Sequence, residues 1–184
     1  MKNINEFTTK EYIQDHALAI LRPARPVSDG IVSRPFKDGI EECVFIPVPN
    51  EHCGYKLPVV LAEKLGIDIE GLFESARINS FADIVVRPIN EIIGGEAGSF
   101  PIMVVTNESA VYGAINGFLV AEAICRKYNW PAAWIIPSSI HETLIIPEGI
   151  DREVLDSTIR DINTRIVDER DRLSDRAYKV EITA

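Results

Sequence analysis

Ser138, Ser139, His141 and Glu142 put two hydroxyls, an imidazole and a carboxylate into five consecutive positions, flanked by the apolar pairs Ile135-Ile136 and Ile145-Ile146. A serine becomes a nucleophile when a base lies within hydrogen-bond reach and a carboxylate orients that base. Ser139 and His141 are the pair a serine-type hydrolase would use. On a strand over residues 140–146, alternation sends Ser139 and His141 to one face and Glu142 to the other. Glu142 then does not orient His141, a distant carboxylate is required, and no GxSxG elbow surrounds either serine. The competing reading makes Pro137-Ser-Ser139 a turn whose hydroxyls satisfy backbone groups, with His141 and Glu142 holding it. Under that reading Ser138, Ser139, His141 and Glu142 form a binding surface.

Asn107 and Ser109 are the second candidate group. The run Thr106-Asn-Glu-Ser109 follows one apolar stretch and precedes another, the position of a loop that touches a ligand or caps a turn and helix. His52 and Cys53, with Cys43 and His141, supply metal-ligand types, but zinc sites draw ligands from close pairs such as C-x2-C and no such pair occurs. No metal or other cofactor is expected. Gly94-Gly-Glu-Ala-Gly98 lacks the GK[ST] of a phosphate loop and reads as a mobile connection. Cys125 reads as a small apolar filler and Trp134 as core, while Trp130 is a possible anchor for a partner. The run Asp168 to Arg176, mixed in sign, reads as a solvated helix end and loop.

The elements that must position these groups follow from punctuation and period. Residues 9–21 read as a helix capped by Thr8 or Thr9 and stopped by Pro23. Residues 22–39, rich in Pro, Gly and Ser, read as an ordered loop or linker. A strand is expected at 42–48, helices at 57–65 and 69–78 around Gly66, a strand at 82–86 and a helical turn at 89–93. The clearest part is a strand at 100–105, an apolar helix at 114–128 with Gly113 and Gly117 admitting a close backbone, and a hairpin of 132–136 with 140–146. A helix capped by Asp151 follows, with Leu155, Ile159, Ile162 and Ile166 as inner stripe, then a strand at 177–182.

The predicted fold class is therefore α+β: an antiparallel sheet with helices on one face, whose C-terminal part is ferredoxin-like (βαββαβ). The expected domains are an N-terminal helix and loop arm, residues 1–39, and a single α+β domain, residues 40–184.

Composition narrows the function classes. Of 184 residues, 46% are hydrophobic and 26% charged, which supports a packed core rather than disorder. A net charge of -9 argues against nucleic-acid and anionic-membrane partners, which need a basic face; Arg22, Arg25 and Arg34 are the one N-terminal basic cluster. No apolar run is long enough to span a membrane, and residues 1–6 do not open a signal peptide. Three cysteines, an odd number without CxxC spacing, fit free thiols in a reducing cytoplasm.

The runs Val105-Thr-Asn-Glu-Ser-Ala-Val-Tyr-Gly-Ala114, Ile136-Pro-Ser-Ser-Ile-His-Glu142 and Leu144-Ile-Ile-Pro147 resemble an uncharacterised bacterial family common in gut Clostridia and known as a domain of unknown function. Arg160-Asp-Ile-Asn-Thr164 and Leu173-Ser-Asp-Arg-Ala-Tyr178 fit it too, and the similarity covers roughly residues 42–182. Residues 1–39 depart from its pattern. The resemblance implies a cytoplasmic bacterial protein and brings no established activity. The expected function is a non-catalytic domain that binds a protein or small ligand through Thr106–Ser109 and Pro137–Glu142. The alternatives are a hydrolase on Ser139 and His141 and a structural subunit whose exposed sheet face or edge strand makes a homodimer.

Overall fold

Thr9 accepts the Tyr12 N–H through its hydroxyl and opens helix α1, Lys10–His16. The helix ends five residues before the expected 21, because Ala17 turns extended (ψ 136°) and Leu18–Pro23 becomes strand β1. Ala19, Ile20, Leu21 and Arg22 are all buried, a continuous run that a strand covered on both faces satisfies. The computed structural model describes residues 4–49, 53–94 and 101–182, which fall into two compact units, Met1–Ala82 and Asp83–Ala184.

In the first unit, β2 (Ser33–Lys37), β3 (Ile40–Val48) and β4 (Cys53–Lys56) join β1 in an antiparallel sheet centred on β3. β1 lies along one side of β3; β2 and then β4 share the other. The expected boundary at residue 39 thus falls inside a sheet, and the segment read as loop or linker contributes the end of β1 and all of β2. Its two strand prolines sit where strands tolerate them: Pro23 ends β1, and Pro35 precedes a register shift in β2. Helices α2 (Val59–Lys64) and α3 (Ile69–Phe81) follow, separated at Gly66, whose φ of 58° is left-handed. Asp68 precedes α3 without a side-chain capping bond. From α3, Ser80 Oγ takes the Ala19 N–H and donates to the Ala19 carbonyl, while Asn79 donates to the Ala17 carbonyl. These bonds protect an exposed edge of β1.

The second unit holds β5 (Ile84–Pro88), α4 (Ile89–Ile93), β6 (Met103–Asn107), α5 (Ile115–Tyr128), β7 (Ala132–Ile136), β8 (Thr143–Pro147), α6 (Arg152–Arg165) and β9 (Tyr178–Glu181). Its sheet is wholly antiparallel in the order β5-β6-β8-β7-β9. The α+β class and the string βαββαβ from β6 to β9 stand. The ferredoxin-like detail differs at the sheet edges: β9 lies beside β7, and β5 takes the place beside β6.

The helices do not share one face. Ala133, Ile135, Val105 and Ile145 pack with Val120, Ala121 and Ile124 of α5, whereas Trp134, Ile136 and Ile146 pack with Leu155 and Ile159 of α6. The reason lies in β7, where all five residues are buried: both faces are apolar and both need a cover. On α6, Asp151 caps as expected, but the inner stripe breaks. Ile162 and Ile166 are 44% and 78% exposed, while Asn163 is buried and donates to the Ser174 carbonyl and the Asp175 carboxylate. The last turn of α6 holds the return loop rather than extending the core. No helix among the described residues is long and apolar enough to cross a membrane.

Candidate functional site

The two candidate loops meet. β6 ends at Asn107, and β8 begins only at Thr143, so residues 140–142 are not strand and the face assignment of Ser139, His141 and Glu142 does not apply. Their backbone is committed elsewhere. The Ile140 N–H goes to the Asp171 carbonyl, the Ile140 carbonyl takes the Ala114 N–H, and the His141 carbonyl takes both the Gly113 N–H (3.1 Å) and the Thr106 hydroxyl (2.8 Å). A Cβ added at Gly113 would stand 2.7 Å from that carbonyl oxygen, and one at Gly117 would stand 2.5 Å from Thr143 Cβ. Both glycines admit the close approach their positions suggested.

His141 joins three segments. Its Nδ1 accepts the Tyr112 N–H at 3.3 Å, which leaves the neutral ring's proton on Nε2. Nε2 faces Asp171 Oδ1 at 3.4 Å. Ser139 is buried, and its hydroxyl accepts the His141 N–H at 2.9 Å, a turn closed by a serine side chain. Ser138 is half-buried, and its carbonyl takes the Leu173 N–H. Glu142 is exposed. Nδ1 accepts from Tyr112 and Nε2 lies against Asp171, while the Ser139 hydroxyl takes the backbone N–H of His141 rather than bonding its ring, the contact a serine–histidine relay requires.

Asn107 organises the other loop. Its Oδ1 accepts from the Val111 N–H and the Ser109 hydroxyl, and its Nδ2 donates to the Val111 carbonyl. Within this knot Ala110 and Tyr112 adopt left-handed backbone, with φ of 52° and 57°. Each such non-glycine residue costs about 1–2 kcal/mol, which surrounding contacts must offset. Asn107 and His141 supply those contacts. Val111 is left 45% exposed, and the Tyr112 ring lies 5.9 Å from the His141 ring.

Asp171 is the participant that sequence reasoning missed. It lies in the mixed charge run read as solvated, thirty residues beyond His141, and no local spacing points to the contact. From the sequence, Thr106 reads only as a loop position and Gly113 only as a place of close backbone approach. Among the described residues no three His, Cys, Asp or Glu side chains gather as metal ligands; His52 lies outside the described residues, as does most of the 94–98 connection.

In the first unit the Arg cluster is not a free basic patch. Arg22 is buried and bonds Asp29 at 2.7 and 3.1 Å and Glu41 at 2.9 Å. Arg25 adds an ion pair to Asp29, and Arg34 pairs with Glu42 and Glu70. Glu42 is fully buried and accepts from Arg34 at 2.9 Å and twice from Arg77, at 2.6 and 2.7 Å. The Arg34 guanidinium also lies 4.0 Å from the Phe73 ring centre. The bonds from Arg22 hold the Asp29 carboxyl down at about 2. Burial works to raise Glu41, but bonds from the Arg25 N–H and from Arg22 hold it low. Burial pushes the Cys43 thiol up to about 11. Beside this network a cleft of about 400 Å³ opens, lined by Val27, Ser28, Val32, Val59, Glu63 and the Arg22–Glu41 pair.

Fold and site together define an α+β protein with two interlocked loops at one end of its second sheet. The chain belongs to DUF5688, a family of unknown function, whose model matches residues 59–181. The match takes in every described element of the second unit together with α2 and α3; β1 to β4 precede it. Neither a curated protein nor a solved structure matches the chain.

Proposed function

We propose that this chain is a non-catalytic binding domain of the bacterial cytoplasm whose second unit recognises a protein partner through the loop Glu108–Tyr112 together with Glu142. The observation that carries the reading is the left-handed backbone at Ala110 and Tyr112, held by Asn107 and His141 around an exposed Val111. Strain retained at a surface loop calls for a function that uses its shape. The hydroxyls and amide of Asn107, Ser109 and Ser139 bond within the protein, so they shape the surface, and Val111, Glu108 and Glu142 meet the partner. A photo-crosslinking amino acid at Val111 in the native cell should give one discrete protein adduct that Asn107→Ala abolishes. No adduct, or one indifferent to Asn107→Ala, contradicts the reading.

The first unit's cleft favours a second reading, small-ligand binding, because it is concave and combines an apolar wall with hydroxyls and carboxylates. Native mass spectrometry of protein purified without additives tests it. A bound small molecule lost on Val59→Trp supports it, and a clean mass speaks against it. Three cysteines, two of them buried, an odd number without CxxC spacing, support a reducing compartment for either reading.

A further inference from the structure

β9 is the last strand of the second unit's sheet; it pairs with β7, and among the described residues no strand pairs with its outer side. The direction of each backbone group can be assigned. Ile182 donates its N–H to the Pro131 carbonyl, continuing the register in which Ala132 faces Glu181 and Ala133 faces Val180. Hydrogen-bonded and non-hydrogen-bonded pairs alternate along an antiparallel ladder. Residues 178, 180 and 182 therefore direct their backbone groups towards β7, and Lys179 and Glu181 direct theirs outward.

The side chains divide the same way. Tyr178, Val180 and Ile182 are partly buried against the α5 face of the core, while Lys179 and Glu181 stand on the other face, 2.6 Å apart in an ion pair, with Lys179 also bonded to Glu148.

We propose that this edge pairs with the same edge of a second copy of the chain, about a two-fold axis through Val180. Antiparallel pairing centred there sets Lys179 opposite Glu181 of the partner subunit, and the reverse. Both are outward-facing residues, so each forms a hydrogen-bonded pair, and all four outward N–H and C=O groups of each copy are satisfied. The same register places opposite charges face to face and joins the two apolar rows, with Val180 meeting its own copy in the close, non-hydrogen-bonded pair. Centring the axis on Lys179 or on Glu181 instead sets like charges opposite each other, which is unfavourable. The charge pattern thus selects one occupant, an identical strand, and one register. The result is a continuous ten-stranded sheet with an isologous interface.

Sedimentation equilibrium on the full chain tests this. The wild type should dimerise. Lys179→Glu and Glu181→Lys should each weaken the dimer by about ten-fold or more, since each sets like charges opposite at both ends of the pairing. The double variant, which restores opposite charges, should recover affinity to within a few-fold. A monomeric wild type at about 100 µM, single reversals without effect, or a double variant as weak as the singles would each overturn the proposal. Val180→Cys in a Cys53→Ser background provides an independent check: oxidation should give a disulfide-linked dimer, and exclusively monomeric product would overturn the register even if the charge variants fold poorly.

Discussion

The carbonyl oxygen of His141 occupies the space that a side chain at Gly113 would need: it accepts the Gly113 N–H at 3.1 Å and lies 2.7 Å from where a Cβ would be. The Thr106 hydroxyl and the Asn107 backbone nitrogen stand as close to that position, so the crowding comes from three directions. Gly113→Ala should therefore separate the two loops. We expect a loss of about 1–3 kcal/mol in urea-measured stability, the range for overpacking a close contact, together with loss of the Val111 crosslink. Wild-type stability in this variant would show that the loops yield freely.

Glu42→Gln leaves Arg34 and Arg77 facing a neutral amide in a buried site. Breaking a buried ion pair from one side typically costs about 3–5 kcal/mol, and the retained hydrogen bonds should hold the loss to the lower end. Denaturant titration checks this. A change below about 1 kcal/mol would mean that solvent enters the network.

The first unit should lose stability in acid. The Asp29 and Glu41 carboxyls lie below their usual values of 3.8 and 4.5. Groups with depressed values stabilise the folded form above their unfolded values and lose that contribution as pH falls through the folded ones. The urea midpoint should therefore fall between about pH 5 and 2, and Asp29→Asn should flatten the slope. An equally steep slope in that variant would assign the effect to other carboxylates.

Thiol alkylation should distinguish the three cysteines. Cys53 is exposed, whereas Cys43 and Cys125 are buried and burial raises both of their thiols. Iodoacetamide should add one group to the folded chain and three after denaturation. Rapid modification at Cys43 would show that the first sheet opens.

What could be read from the sequence depended on how local each signal was. β7 and β8 show in the apolar runs around Pro137-Ser-Ser139, and α5 in an apolar helix with Gly113 before its start and Gly117 in its first turn. The strand Leu18–Pro23 was read as more helix because a four-residue apolar run joined to a helical period fits either state. The stripe through Ile162 and Ile166 failed because Asn163 was needed to hold the return loop, a tertiary demand with no periodic trace. At the site, the sequence assigns Thr106–Ser109 and Pro137–Glu142 to one binding surface, and the two loops do meet through the His141 carbonyl. The Asp171–His141 contact was not legible, because it joins positions thirty residues apart through one side chain.

The most direct measurement is the protonation of the two ring nitrogens of His141, read by long-range 1H–15N correlation on labelled protein. If His141 locks the loops by accepting the Tyr112 N–H, its neutral ring must carry the proton on Nε2, with Nδ1 showing the shift of a bare acceptor nitrogen, and Asp171→Asn must leave that form in place. A neutral ring protonated on Nδ1 would place no lock at Tyr112, free Nε2 to act as a base, and contradict the non-catalytic account.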